Sequence, residues 1–146
     1  MVPIGKKINL TAELFAVCDY TLISRDGKIS IIGIFDRIGS VNFPTVHPKM
    51  VLAAVLRGEK NSKLIISLEV ISPAGREVLK EQNKTIQIQL TLSPFGKGNL
   101  IIDLVTFRFD TEGEYRFILK HDNKIFAQTS VILQKVNNEK STHTVN

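Results

Sequence analysis

Asp19 and Asp36 are the residues whose type and spacing come nearest to chemistry. They flank the tight-turn signal Asp26-Gly27, and a two-residue turn there sets them diagonally on one face of a hairpin, about 7 to 8 Å apart by strand geometry. Carboxylates at that separation suit a shared hard cation or a division of acid and base duties. A cation needs more than two oxygen ligands, and no further carboxylate follows at a useful spacing, so the pair reads first as an acidic surface feature. Cys18 and His47 complete a nucleophile and base inventory, but Cys18 falls on the apolar side of its strand and lacks a setting that would lower a thiol pKa. Gly96-Lys97-Gly98 has the glycines of a phosphate cradle without the Lys-Ser/Thr and helix that make one work. No HExxH, CxxC, GxSxG or calcium-loop pattern occurs. No catalytic, cofactor-binding or metal-ligating residue is therefore assigned, and no cofactor is expected.

The element that must position the aspartates is Leu14 to Ile38, two apolar runs around Asp26-Gly27. A two-residue turn pairs Leu22 with Ile31, Tyr20 with Gly33 and Cys18 with Phe35, collecting Ala16, Cys18, Tyr20, Leu22, Ile31 and Phe35 on one face. A three-residue loop, Arg25-Asp26-Gly27 with Gly27 left-handed, is the competing choice; it slips one strand by a residue and leaves both faces mixed. The two-residue register is preferred on that ground.

The run Cys18-Asp19-Tyr20, Asp26-Gly27-Lys28-Ile29-Ser30 and Gly33-Ile34-Phe35-Asp36-Arg37-Ile38, followed by Phe43-Pro44 and His47-Pro48, resembles a family of short bacterial proteins catalogued only as a domain of unknown function. A Gly113-Glu114-Tyr115 entry to a late strand extends the likeness. The resemblance implies a small β-sandwich of bacterial or phage origin and brings no substrate, cofactor or catalytic residue.

Composition sets the outer limits. The chain has 146 residues, 43% of them hydrophobic, enough for one packed core. Its net charge of +5 comes from 19 basic and 14 acidic residues that alternate rather than cluster, which weighs against nucleic-acid binding. One cysteine excludes an internal disulfide. Neither a signal-like apolar run nor a membrane-length one is present, and a cytoplasmic location is expected on that ground.

Along the chain, residues 1–12 read as an N-terminal arm, 13–135 as a single β-sandwich domain and 136–146 as a disordered tail. Gly39 to Lys49, with two prolines, reads as a crossing loop; trans is the expected state of its Phe43-Pro44 and His47-Pro48 bonds, with cis the alternative that an aromatic or His before Pro favours. Met50 to Arg57 reads as a central strand buried on both faces, with a short helix as the alternative. Lys63 to Ile71 alternates and turns at Ser72-Pro73-Ala74-Gly75 into a strand over Arg76 to Gln82. Thr85 to Leu92 has the cleanest period of two. Asn99 to Phe109 carries a bulge, its inward set shifting from Leu100, Ile102 and Leu104 to Val105, Phe107 and Phe109. Glu114 to Lys120 and Lys124 to Gln134 form the closing hairpin, and Asp110-x-x-Gly113-x-Tyr115 looks like a tyrosine corner.

These strands predict an all-β, antiparallel two-sheet β-sandwich, immunoglobulin-like or a related Greek key. In the closing hairpin odd positions pair with odd, which sends Ile118, Phe126 and Ile132 to the outer face with a polar border, the composition of a contact patch. The function expected is a non-enzymatic protein-binding or scaffolding module, with a protein partner or self-association. A metal-assisted hydrolase using Asp19 and Asp36, or a weak nucleic-acid binder, are the alternatives.

Overall fold

In the computed structural model, which describes residues 9–137, nine strands and one short helix follow in order. They are β1 Thr11–Ile23, β2 Ile29–Ile34, β3 Arg37–Ser40, β4 Thr45–Arg57, β5 Lys63–Ile71, α1 Val78–Glu81, β6 Ile86–Thr91, β7 Lys97–Phe109, β8 Gly113–His121 and β9 Lys124–Lys135. The strands form two sheets, ordered β2-β1-β4-β7 and β3-β9-β8-β5-β6. The fold is the predicted all-β, two-sheet sandwich, and the first eight and last nine residues of the expected arm and tail lie outside the described residues.

Alternation builds the core. Met50, Leu52, Ala54 and Leu56 of β4 face Leu64, Ile66, Leu68 and Val70 of β5 across the sandwich, all buried. Each large aliphatic side chain so placed contributes about 1.5–3 kcal/mol through burial. β4 is central and its opposite side, Val51 and Ala53, is buried too, which explains a run with no polar residue between Met50 and Leu56. Thr106 takes φ +49°, and there the inward set of β7 passes from Leu104 to Phe107 and Phe109. Val105, expected inward, is exposed, because the face changes one residue later than the apolar pattern suggests.

At the far end Phe107, Phe109 and Tyr115 stack, with ring centroids 4.9 and 4.8 Å apart. The Tyr115 hydroxyl donates to the Thr111 carbonyl at 3.0 Å and accepts from the Thr111 amide at 3.1 Å. This is the tyrosine corner, closed on Thr111, while Asp110 instead holds Arg108 at 2.7 Å.

Three expected elements take other forms. The expected crossing loop, Gly39 to Lys49, is mostly strand: Gly39 and Ser40 end β3, paired parallel with β9, and Thr45 to Lys49 already belongs to β4, so the turn between them is short, and its Phe43-Pro44 bond is cis. The expected strand at Arg76 to Gln82 is helix α1. The Glu77 carboxylate accepts the amides of Leu79 at 2.8 Å and Lys80 at 3.3 Å, an N-cap that draws the backbone into a turn while Val78 and Leu79 reach the core. The third is the β1–β2 hairpin.

Candidate functional site: a ribbon folded over the sheet

The turn of β1–β2 is the three-residue loop. The Ser24 amide donates to the Lys28 carbonyl at 2.8 Å, the Gly27 amide to the Ser24 carbonyl at 2.9 Å, and Gly27 has φ +86°. The register is accordingly Tyr20 with Ile32, Leu22 with Ser30 and Cys18 with Ile34, one residue from the expected pairing of Tyr20 with Gly33 and Cys18 with Phe35. The side chain of Ser24 donates to the carboxylate of Asp26. That bond, with a backbone amide and Lys28, holds the Asp26 carboxyl below the usual range.

Why the mixed-face register wins is visible in the path of the ribbon. β1 pairs with β4 only as far as Cys18, opposite Val51, and pairs with β2 only from Cys18 onward. A straight ribbon would carry Gly27 about 30 Å beyond Cys18. Instead the Gly27 carbonyl accepts from Asn99 Nδ2 at 3.5 Å, and Asn99 lies in the other direction, across the sheet in the row of Val55 and Leu14. The ribbon therefore bends back at Asp19 and Gly33, where Gly33 takes φ +72°, and crosses the outer face of the first sheet diagonally. Ile31 packs beneath it against Cys18, Val51 and Ala53, with Ile101 alongside, as a second apolar cluster separate from the main core. By strand alternation Thr21 shares that underside with Ile31, its cross-strand partner, and Tyr20, Leu22, Ser30 and Ile32 take the top.

The expected chemistry can now be located. Cys18 lies fully buried under the ribbon, its thiol directed at the Val51 carbonyl, 3.5 Å away. Burial pushes the thiol above its ordinary pKa, and the charge of Asp19 adds to the effect. His47 packs on Phe35, ring centroids 6.0 Å apart, about 13 Å along β4 from Val51, so the structure does not bring cysteine and histidine together. The Asp19 carboxylate rests on Gly33. Asp36 stands where the chain changes sheets: the preceding Phe35 amide donates to Val17 in the first sheet, and the Asp36 carbonyl accepts from Ile132 in the second. Its carboxylate is exposed beside Arg37 at 3.7 Å. The register that set the two aspartates diagonally on one face is not the one formed. Among the described residues no three His, Cys, Asp or Glu side chains group as metal ligands. The Gly96 loop clasps β4, its carbonyl accepting from the Gly58 amide at 2.8 Å.

Of the expected contact patch, Ile118 faces outward between Glu69 and Gln128, yet it is buried, and beside it Lys120 pairs with Glu69 at 2.8 Å. Odd pairs with odd from Tyr115 to Leu119, then a bulge shifts the register and Phe126 packs against the core. Ile132 is exposed, and the three residues do not share one open face. The top of the ribbon is not legible in the sequence, because local alternation groups Tyr20 and Leu22 with Cys18 on a single apolar face. Elsewhere, a groove of about 690 Å3 beside the tyrosine corner is lined by Arg76, Lys84 and Arg108, of which Arg76 is paired with Glu81 and Arg108 with Asp110.

The family of unknown function DUF6941 matches residues 13–134. The chain belongs to that family. No curated protein matches this DUF6941 chain in sequence. Among solved structures, a β-glucosidase from Erythrobacter marinus is similar with a TM-score of 0.51 and 9% identity, over 86% of this chain and 15% of the enzyme. A β-glucosidase from Listeria innocua, in complex with glucose, is similar with a TM-score of 0.50 and 7% identity, over 87% of this chain and 16% of the enzyme. An immunoglobulin-like protein from Pseudomonas aeruginosa has a TM-score of 0.46 and 13% identity, over 86% of this chain and 97% of that one. The chain thus spans about one sixth of the length of the β-glucosidases, and the likeness to them is one of fold. Among the described residues no helix is long and apolar enough to cross a membrane.

Proposed function

We propose that this DUF6941 chain is a cytoplasmic, non-enzymatic protein-binding module that docks a partner on the top of the β1–β2 ribbon. One observation carries the reading. The ribbon already covers one apolar surface with its underside, yet Tyr20 and Leu22 stand 44% and 56% exposed on its top, beside Ile32. Large apolar side chains gathered on the outer side of this ribbon, bordered by Ser30, Arg25 and Lys28, have the apolar centre and polar rim of a protein interface. Tyr20 adds a flat ring with a hydroxyl, a side-chain type enriched among interface anchors. The occupant that fits is a protein segment presenting apolar side chains.

A photo-reactive residue in place of Leu22, compared with one in place of Gln89 on the outer face of the other sheet, tests this in the source cell. The expected result is a discrete protein adduct from position 22 that is absent from position 89. Identical products from both positions, or none from position 22, would overturn the reading.

A further inference from the structure

We propose that β2 pairs antiparallel with β2 of a second copy of the chain, joining two ribbons into one four-stranded layer across a two-fold axis. β2 ends the first sheet, so one row of its backbone amides and carbonyls has no strand partner among the described residues. Exposed edges of this kind are ordinarily shielded by charge, proline, short length or a bulge. Ile29–Ile34 has the sequence ISIIGI, with no charged residue and no proline, and Ile34 is 61% exposed. The other three edges differ. β3 has only four residues, β7 carries Lys97, Asp103 and Arg108, and pairing along β6 would bury Gln87 and Gln89.

The second copy follows from charge. At the tip of the ribbon Arg25, Asp26 and Lys28 leave one net positive charge; at the bend Asp19, Asp36 and Arg37 leave one net negative charge. Antiparallel pairing of two identical strands sets each tip against the other copy's bend, matching both ends at once, whereas parallel pairing would oppose like charges. An isologous contact needs a self-complementary surface, and an uncharged apolar strand with opposite charges at its ends meets that need. The edge is separate from the Tyr20 and Leu22 face: a strictly monomeric chain would sink this inference and leave the docking face standing, while failure of cross-linking at position 22 would do the reverse.

Sedimentation equilibrium on the full chain tests it. The expected result is a concentration-dependent species of twice the 16.3 kDa chain mass. Ser30 is exposed on the ribbon top and in this register lies diagonal to the other copy's Asp36, so Ser30→Glu should leave circular dichroism unchanged while raising the dissociation constant about tenfold, since it sets a negative charge beside the acidic bend twice over. Lys28→Glu should also weaken the dimer, and adding Asp36→Lys should restore it by exchanging the signs of the two ends. A chain that stays monomeric up to its solubility limit overturns the proposal. So does a dimer indifferent to both Ser30→Glu and Lys28→Glu, or one that the charge exchange fails to restore.

Discussion

Asp19 occupies the space above Gly33 that a Cβ would need: a carbon added to Gly33 would stand 2.3 Å from Asp19 Oδ2 and 2.8 Å from its Cγ. The two residues face each other where the ribbon bends, and the left-handed φ of Gly33 makes the bend possible for the chain. Gly33→Ala meets both obstacles. It should destabilise the protein by about 1–3 kcal/mol, read from urea unfolding. Asp19→Gly added to it should recover only part of the loss, because the backbone strain survives the removal of the clash.

Cys18 is the only thiol and lies under the ribbon, so its chemistry reports on that layer. Its pKa is raised by folding above the unfolded value of about 8.5. The stability it contributes is therefore fully present below about pH 8.5 and is lost as pH rises through the folded pKa. Thermal unfolding between pH 7 and 10 should show a decline in stability that is shallower in Cys18→Ala. Equal slopes in the two proteins would contradict a thiol held protonated by burial.

Tyr115→Phe keeps the stack on Phe109 and removes both hydrogen bonds to Thr111. The expected loss is about 1–3 kcal/mol, visible as a lower Tm with unchanged far-ultraviolet circular dichroism. An unaltered Tm would mean that water replaces the hydroxyl at no cost.

Phe126 and Ile132 separate burial from exposure on one strand. Phe126→Glu directs a charge toward the core and should cost about 3 kcal/mol or more, while Ile132→Glu, at a position 41% exposed, should change stability by no more than about 0.5 kcal/mol. Comparable unfolding midpoints for the two variants would place Phe126 on the surface.

What the sequence discloses of this fold is what alternation can encode. Lys63 to Ile71 and Ile86 to Thr91 read directly, since each has one face inward and one outward, and Met50 to Leu56 reads as a strand because both its sides are covered. The candidate site was far less legible. The choice between a two-residue and a three-residue turn moves side chains to the opposite face, and it was decided by an apolar cluster at Val51, Ala53 and Ile101, contributed by strands distant in sequence. A purely local pattern favours the turn that segregates one apolar face; the ribbon instead packs its underside through Ile31 and leaves Tyr20 and Leu22 exposed on its top. β3 escaped notice because its partners are the backbone of β9, and Phe126 because a single-residue bulge after Leu119 turns it inward.

The contact of Gly27 with Asn99 also makes the ribbon a gauge of its own length. β7 is the last strand of the first sheet, so the tip stops at the sheet's border. Two more residues in each arm would carry it about 7 Å past that border into solvent, and two fewer would draw it back from Ile101. Insertions at Arg25-Asp26-Gly27, ordinarily the most forgiving position in a hairpin, are thereby limited by the width of the sheet that the ribbon crosses.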